Sequence, residues 1–72
     1  MEQIYHERAR QAVEDAKLTY NVLARRLRVT KQTAWRWINT ETPPLERFYQ
    51  ICNVLNVSAD WMLGREARNA TL

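Results

Sequence analysis

Seventy-two residues with 46 % apolar content describe one ordered domain, too small for the deep pocket, lids and supporting shell that most enzymes need. A single cysteine, Cys52, excludes an internal disulfide. The absence of a long apolar run excludes a membrane span, and the charged start MEQIYHERARQ is unlike a signal peptide, so the expectation is a soluble cytoplasmic protein. The net charge of +3 is unevenly spread: residues 16–40 hold Lys17, Arg25, Arg26, Arg28, Lys31 and Arg36 with no acid, while the rest of the chain carries five bases and eight acids. Such a block points to a face for a polyanion, nucleic acid first, with a merely solvated helix surface as the alternative.

In chain order, residues 1–18 read as a first helix, because Ile4, Ala9, Ala12, Val13 and Ala16 recur at helical spacing. His6 has no second imidazole and no cysteine near it in sequence. It reads as a surface or boundary side chain, and no metal site is expected. Thr19 is an N-cap candidate for a second helix, Tyr20 to Leu27, with Val22, Leu23 and Leu27 on its buried side and the small Ala24 where a crossing helix can approach. The pattern breaks at Arg28 and Val29. Thr30 is a second N-cap candidate and opens a helix from Lys31 to Asn39. There Ala34, Trp37 and Ile38 share one face, while Lys31, Gln32, Trp35, Arg36 and Asn39 lie around the other.

Thr40 to Pro44 (TETPP) is a loop, since consecutive prolines cannot continue a helix, although Pro44 can open the next one. Leu45, Phe48, Ile51, Cys52 and Leu55 mark a fourth helix, with Cys52 as a core side chain rather than a reactive thiol. Ser58 caps a short fifth helix, Ala59 to Leu63, which Gly64 stops. Residues 1–64 form the expected domain and 65–72 a flexible tail. With no strand signal and no repeat, the fold class is all-α, a compact five-helix bundle.

Two short basic helices joined by a tight turn are what a helix-turn-helix requires: a small residue at the crossing, here Ala24, an apolar plug in the turn, here Val29, and a second helix with one buried and one presented face. The run TYNVLARRLRVTKQTAWRWIN, Thr19 to Asn39, resembles the helix-turn-helix of the lambda-repressor-like family, the Cro and phage-repressor or XRE-like type. Downstream, Pro44-Leu45, Ile51, Leu55, Asn56-Val57-Ser58 and Asp60-Trp61-Met62-Leu63-Gly64 are similar to that family's fourth helix and closing segment, so the resemblance spans residues 4–64. It implies a five-helix domain that binds double-stranded operator DNA as a homodimer and regulates transcription.

Residue by residue, the resemblance implies that Lys31, Gln32, Thr33 and Arg36 read bases, while Thr19, Tyr20, Thr30 and Asn39 meet phosphates. The chemistry agrees: Lys and Arg suit guanine, Gln suits adenine, and the Thr33 methyl suits thymine. Arg25, Arg26 and Arg28 add sequence-independent phosphate attraction.

Two positions depart from the pattern. Arg28 stands where the family usually has glycine, so either the turn is built differently or Arg28 is kept for a phosphate. Trp35, on the presented side of the recognition helix, either contacts DNA or folds back onto neighbours such as the 40–44 loop. Trp61, Met62 and Leu63 form an apolar cluster, part of which closes the core while the remainder can serve a two-fold interface.

The expected function is therefore a compact, Cro-like phage or prokaryotic repressor acting on a palindromic operator. No small-molecule ligand, cofactor, membrane or ligand-binding domain is expected. The alternative is a helical interaction module, an antitoxin or adaptor, whose basic face binds an acidic protein. An enzyme is not expected, because no nucleophile–base pair, paired acids, phosphate loop or metal constellation is present.

Overall fold

The computed structural model describes residues 4–65. Residues 1–3 of the predicted first helix, and the predicted flexible tail beyond Arg65, lie outside the described residues. Five helices follow in order: α1 (Ile4–Ala16), α2 (Tyr20–Leu27), α3 (Lys31–Asn39), α4 (Leu45–Leu55) and α5 (Ala59–Met62), with no strand among the described residues. The all-α, five-helix architecture expected from periodicity is the one observed.

The helices start and stop for local chemical reasons. Thr19, Thr30 and Ser58 sit in extended backbone, and each hydroxyl accepts a hydrogen bond from the backbone N–H three residues on, at Val22, Thr33 and Trp61. Each thereby satisfies a donor that the helix itself leaves open. Pro44 opens α4 without a side-chain cap, as the residue before the helix rather than its first position.

Four helix ends close through left-handed backbone: Lys17 (φ 58°), Arg28 (φ 61°), Asn56 (φ 60°) and Gly64 (φ 77°). All four show the same paired bonds. Behind α2, for example, Arg28 N–H donates to the Arg25 carbonyl and Val29 N–H to the Ala24 carbonyl. The turn is thus a regular left-handed helix end built on a non-glycine residue, at a cost of about 1 kcal/mol. Gly64 is the position where glycine is also needed for space, since a Cβ there would lie 2.9 Å from Cγ2 of Ile4.

Every helix contributes to one core. Ala9 of α1, Leu23 of α2, Ala34 and Ile38 of α3, Ile51 of α4 and Met62 of α5 are all completely buried. Helices α2 and α3, each with a buried alanine at Ala24 and Ala34, share the most extensive contact, while α1 lies against α3, α4 and α5.

Several expected core positions differ. Tyr5, absent from the predicted stripe, is buried, whereas Ile4 and Ala16 at the two ends of α1 are exposed. Leu45, at the open first turn of α4, is also exposed. Val29 and Trp37 are half-buried against the core, Val22 is half-buried, and Ala34 and Ile38 are the fully buried anchors of α3. His6 is buried rather than superficial, because α1 brings it against the chain leaving α3.

Candidate nucleic-acid interface

Helix α3 exposes one side and buries the other. Ala34 and Ile38 point inward, whereas Lys31, Gln32, Trp35 and Arg36 are exposed and together border a shallow surface depression. Trp35 is 46 % exposed. Its indole therefore forms part of the wall beside Lys31, Gln32 and Arg36, on the side away from the core. Thr33 is half-buried, and its hydroxyl is engaged along the helix: it accepts from the Thr30 hydroxyl at 2.9 Å and lies 3.5 Å from Nη2 of Arg36. Arg36 also meets the carboxylate of Glu41, Nε to Oε2 at 3.5 Å.

The residues expected at phosphates flank this face. Thr19 and Thr30 serve first as N-caps, and their helices' remaining N–H groups open at the same ends, a favourable location for an anion. Asn39 spends its amide hydrogens within the protein, donating to the hydroxyl of Tyr20 at 3.1 Å and to the carbonyl of Trp35 at 2.9 Å. Tyr20 accepts from Asn39, so its own O–H proton stays available to another acceptor. This pairing links α2 to α3 across the turn, a link that no sequence pattern displays.

Arg25, Arg26 and Arg28 are all exposed. Arg26 borders a different groove, with Asp15, Leu18, Asn56 and Val57, and does not line the depression on α3.

The end of α3 is held by polar contacts from α1. The Tyr5 hydroxyl donates to the Trp37 carbonyl at 2.8 Å, and His6 Nε2 lies 2.9 Å from the Glu41 carbonyl. A carbonyl only accepts, so that nitrogen carries the proton. Burial raises the Tyr5 hydroxyl well above its ordinary value of 10.0, with the nearby Cys52 adding to the rise. Arg47 of α4 donates to the Leu27 carbonyl at the end of α2 and to Gln50, and its guanidinium lies 5.8 Å from the ring of Trp37. Sequence periodicity missed Tyr5, His6 and Arg47 because each acts through a carbonyl distant in sequence.

Of the cluster expected at a two-fold interface, Met62 is completely buried and belongs to the core, Trp61 is half-buried, and Leu63 is 47 % exposed. The Met62 side chain therefore cannot reach a partner. Trp61 is covered on one side by Arg8, whose guanidinium lies 4.9 Å from its ring and donates to its carbonyl. Leu63 borders an apolar groove with Tyr5, Pro43, Leu45 and Phe48. Cys52 is buried in the core, and burial raises its thiol above the usual 9.0. Among the described residues no group of three His, Cys, Asp or Glu is placed to hold a metal, and no helix is long and apolar enough to cross a membrane.

A bundle in which a capped, outward-facing basic helix follows a second helix through a tight corner defines a class, the helix-turn-helix proteins. A family model described as helix-turn-helix matches residues 10–62. The chain belongs to this family, in its lambda-repressor-like, XRE type, a family of DNA-binding regulator domains. No curated protein and no solved structure gives a significant match.

Proposed function

We propose that the chain is a sequence-specific transcriptional repressor, compact and Cro-like, that inserts α3 into the major groove of an inverted-repeat operator and binds as a homodimer. The observation that carries this reading is the division of α3. Lys31, Gln32, Trp35 and Arg36 stand on one exposed face, and Ala34 and Ile38 are buried on the other. A helix so divided offers donors and an apolar wall to base edges while its back stays in the core. Lys31, Gln32, Thr33 and Arg36 read bases, and Trp35 packs against sugar or thymine methyls. Thr19, Tyr20 and Thr30 meet phosphates with Arg25 and Arg28, and Asn39 acts there by holding Tyr20.

The exposed apolar side chains Ile4, Leu45, Tyr49 and Leu63 favour a second copy as partner, with Trp61 at the margin. Two α3 helices placed by such a dimer would meet half-sites about 34 Å apart.

Selection of sites from random duplex DNA, followed by affinity measured against salt, tests the reading. An inverted-repeat consensus and a steep negative salt slope are expected. Arg36→Ala should relax base preference at one or two positions by about 1–3 kcal/mol, whereas Arg25→Ala should weaken all sequences alike. Equal, weak binding to every duplex would overturn the reading in favour of an acidic protein partner, and a single unrepeated half-site would overturn the dimer.

A further inference from the structure

We propose that Glu41 is a specificity-determining residue: it positions Arg36 for a base and withholds it from the phosphate backbone. This rests on the base-reading role of Arg36 proposed above. Glu41 is the first acid after the acid-free block of residues 16–40, and it stands just past Thr40, the residue that caps the end of α3. Its backbone is fixed from both sides. Its N–H donates to the Arg36 carbonyl at 2.7 Å, and its carbonyl accepts from His6 at 2.9 Å. The carboxylate therefore leaves from a set point and meets Arg36 at Nε, Oε2 to Nε 3.5 Å.

Helix stability does not account for an acid there. The C-terminal end of a helix carries partial negative charge and disfavours a carboxylate. The pair is also exposed, with the two side chains 47 % and 55 % accessible, and exposed pairs stabilise a fold very little.

The geometry instead suits recognition. The guanidinium is a planar fork. A carboxylate on Nε leaves the Nη1–Nη2 edge, where Nη2 has only a long 3.5 Å contact with the Thr33 hydroxyl, open to pair end-on with guanine O6 and N7. Guanine can be bound without releasing Glu41. A phosphate drawn to the same arginine meets the Glu41 charge beside it, and the contact is weakened. A single carboxylate on a backbone held in place thus favours the base-bound arrangement over the backbone-bound one.

The test compares wild type, Glu41→Gln, Glu41→Ala and the double variant Arg36→Ala/Glu41→Gln, using the selected site and a scrambled duplex across a salt series. Glu41→Gln is expected to raise affinity for the scrambled duplex about threefold, steepen its salt slope by roughly one, and lower the specific-to-scrambled ratio about fivefold. Base preference should relax at the same position that Arg36→Ala affects, with the thermal midpoint unchanged. Glu41→Ala should behave alike, and in the Arg36→Ala background Glu41→Gln should leave base preference untouched.

Unchanged base preference and scrambled affinity in Glu41→Gln would overturn this inference while leaving the regulator reading intact. A base preference that shifts with Glu41 even without Arg36 would overturn it too, by making Glu41 a reader in its own right. Failure of the wild type to select any consensus would remove both.

Discussion

Helices α3 and α4 have similar lengths and opposite means of support. Of eleven residues in α4, four are buried, Phe48, Ile51, Cys52 and Leu55, and no side chain caps its start. Of nine residues in α3, only Ala34 and Ile38 are buried, and the helix depends on polar fastenings instead: the Thr30 cap, Asn39 to Tyr20, and the Tyr5 hydroxyl on the Trp37 carbonyl. A helix that must show one side to a large ligand cannot bury much of itself. Its position then has to be fixed by directional bonds, which do not require area.

Core truncation is the largest perturbation that this contrast predicts. Ile51→Ala should cost about 2–5 kcal/mol, a large part of what a domain this small possesses. Lys31→Ala on the presented face should change stability by no more than about 0.5 kcal/mol. Urea unfolding of the two variants would check the contrast, and equal losses would break it.

Removing one polar fastening should give an intermediate effect. Tyr5→Phe is expected to cost about 1 kcal/mol, the net worth of a hydrogen bond. It also has a pH signature. The Tyr5 hydroxyl titrates near 10.0 when unfolded and higher when folded, through burial first and Cys52 second. Its contribution is complete below pH 10 and falls as pH rises further toward the folded value, because only the unfolded state then readily gives up the proton. Cys52, also raised by burial, begins the same decline from about 9.0. Thermal midpoints measured from pH 8 to 11 should therefore fall more gently for Tyr5→Phe than for wild type. Parallel curves would show that the hydroxyl adds nothing.

The smallest expected effect is a gain. Arg28→Gly removes the strain of a left-handed arginine but enlarges the unfolded ensemble, leaving a net stabilisation of about 0.5 kcal/mol. A midpoint raised by roughly 2–4 °C would register it. Lower affinity for all duplexes in the same variant would identify Arg28 as a phosphate contact as well.

Much of the architecture is legible in the sequence. Thr19, Thr30 and Ser58 announce helix starts because capping is local chemistry, and both helices of the motif begin and end where their spacing places them. The presented face of α3 was legible for the same reason, since a nine-residue helix has only one way to bury Ala34 and Ile38 together. Tyr5, His6 and Arg47 were not, because their partners are carbonyls of Trp37, Glu41 and Leu27, and a carbonyl belongs to every residue type alike. The run Trp61, Met62 and Leu63 shows that its apolar cluster must divide between core and surface, but not that Met62 is the buried member, which depends on how α5 sits on the bundle.

The paired grip of Tyr5 and His6 bears on how the encounter with DNA proceeds. These neighbours on α1 hold two carbonyls, of Trp37 and Glu41, on either side of Thr40. Two anchors at the end of a helix oppose its rolling about its own axis, which a single anchor would allow. The azimuth of α3 is therefore set during folding, so little rotational entropy remains to be lost when a duplex arrives.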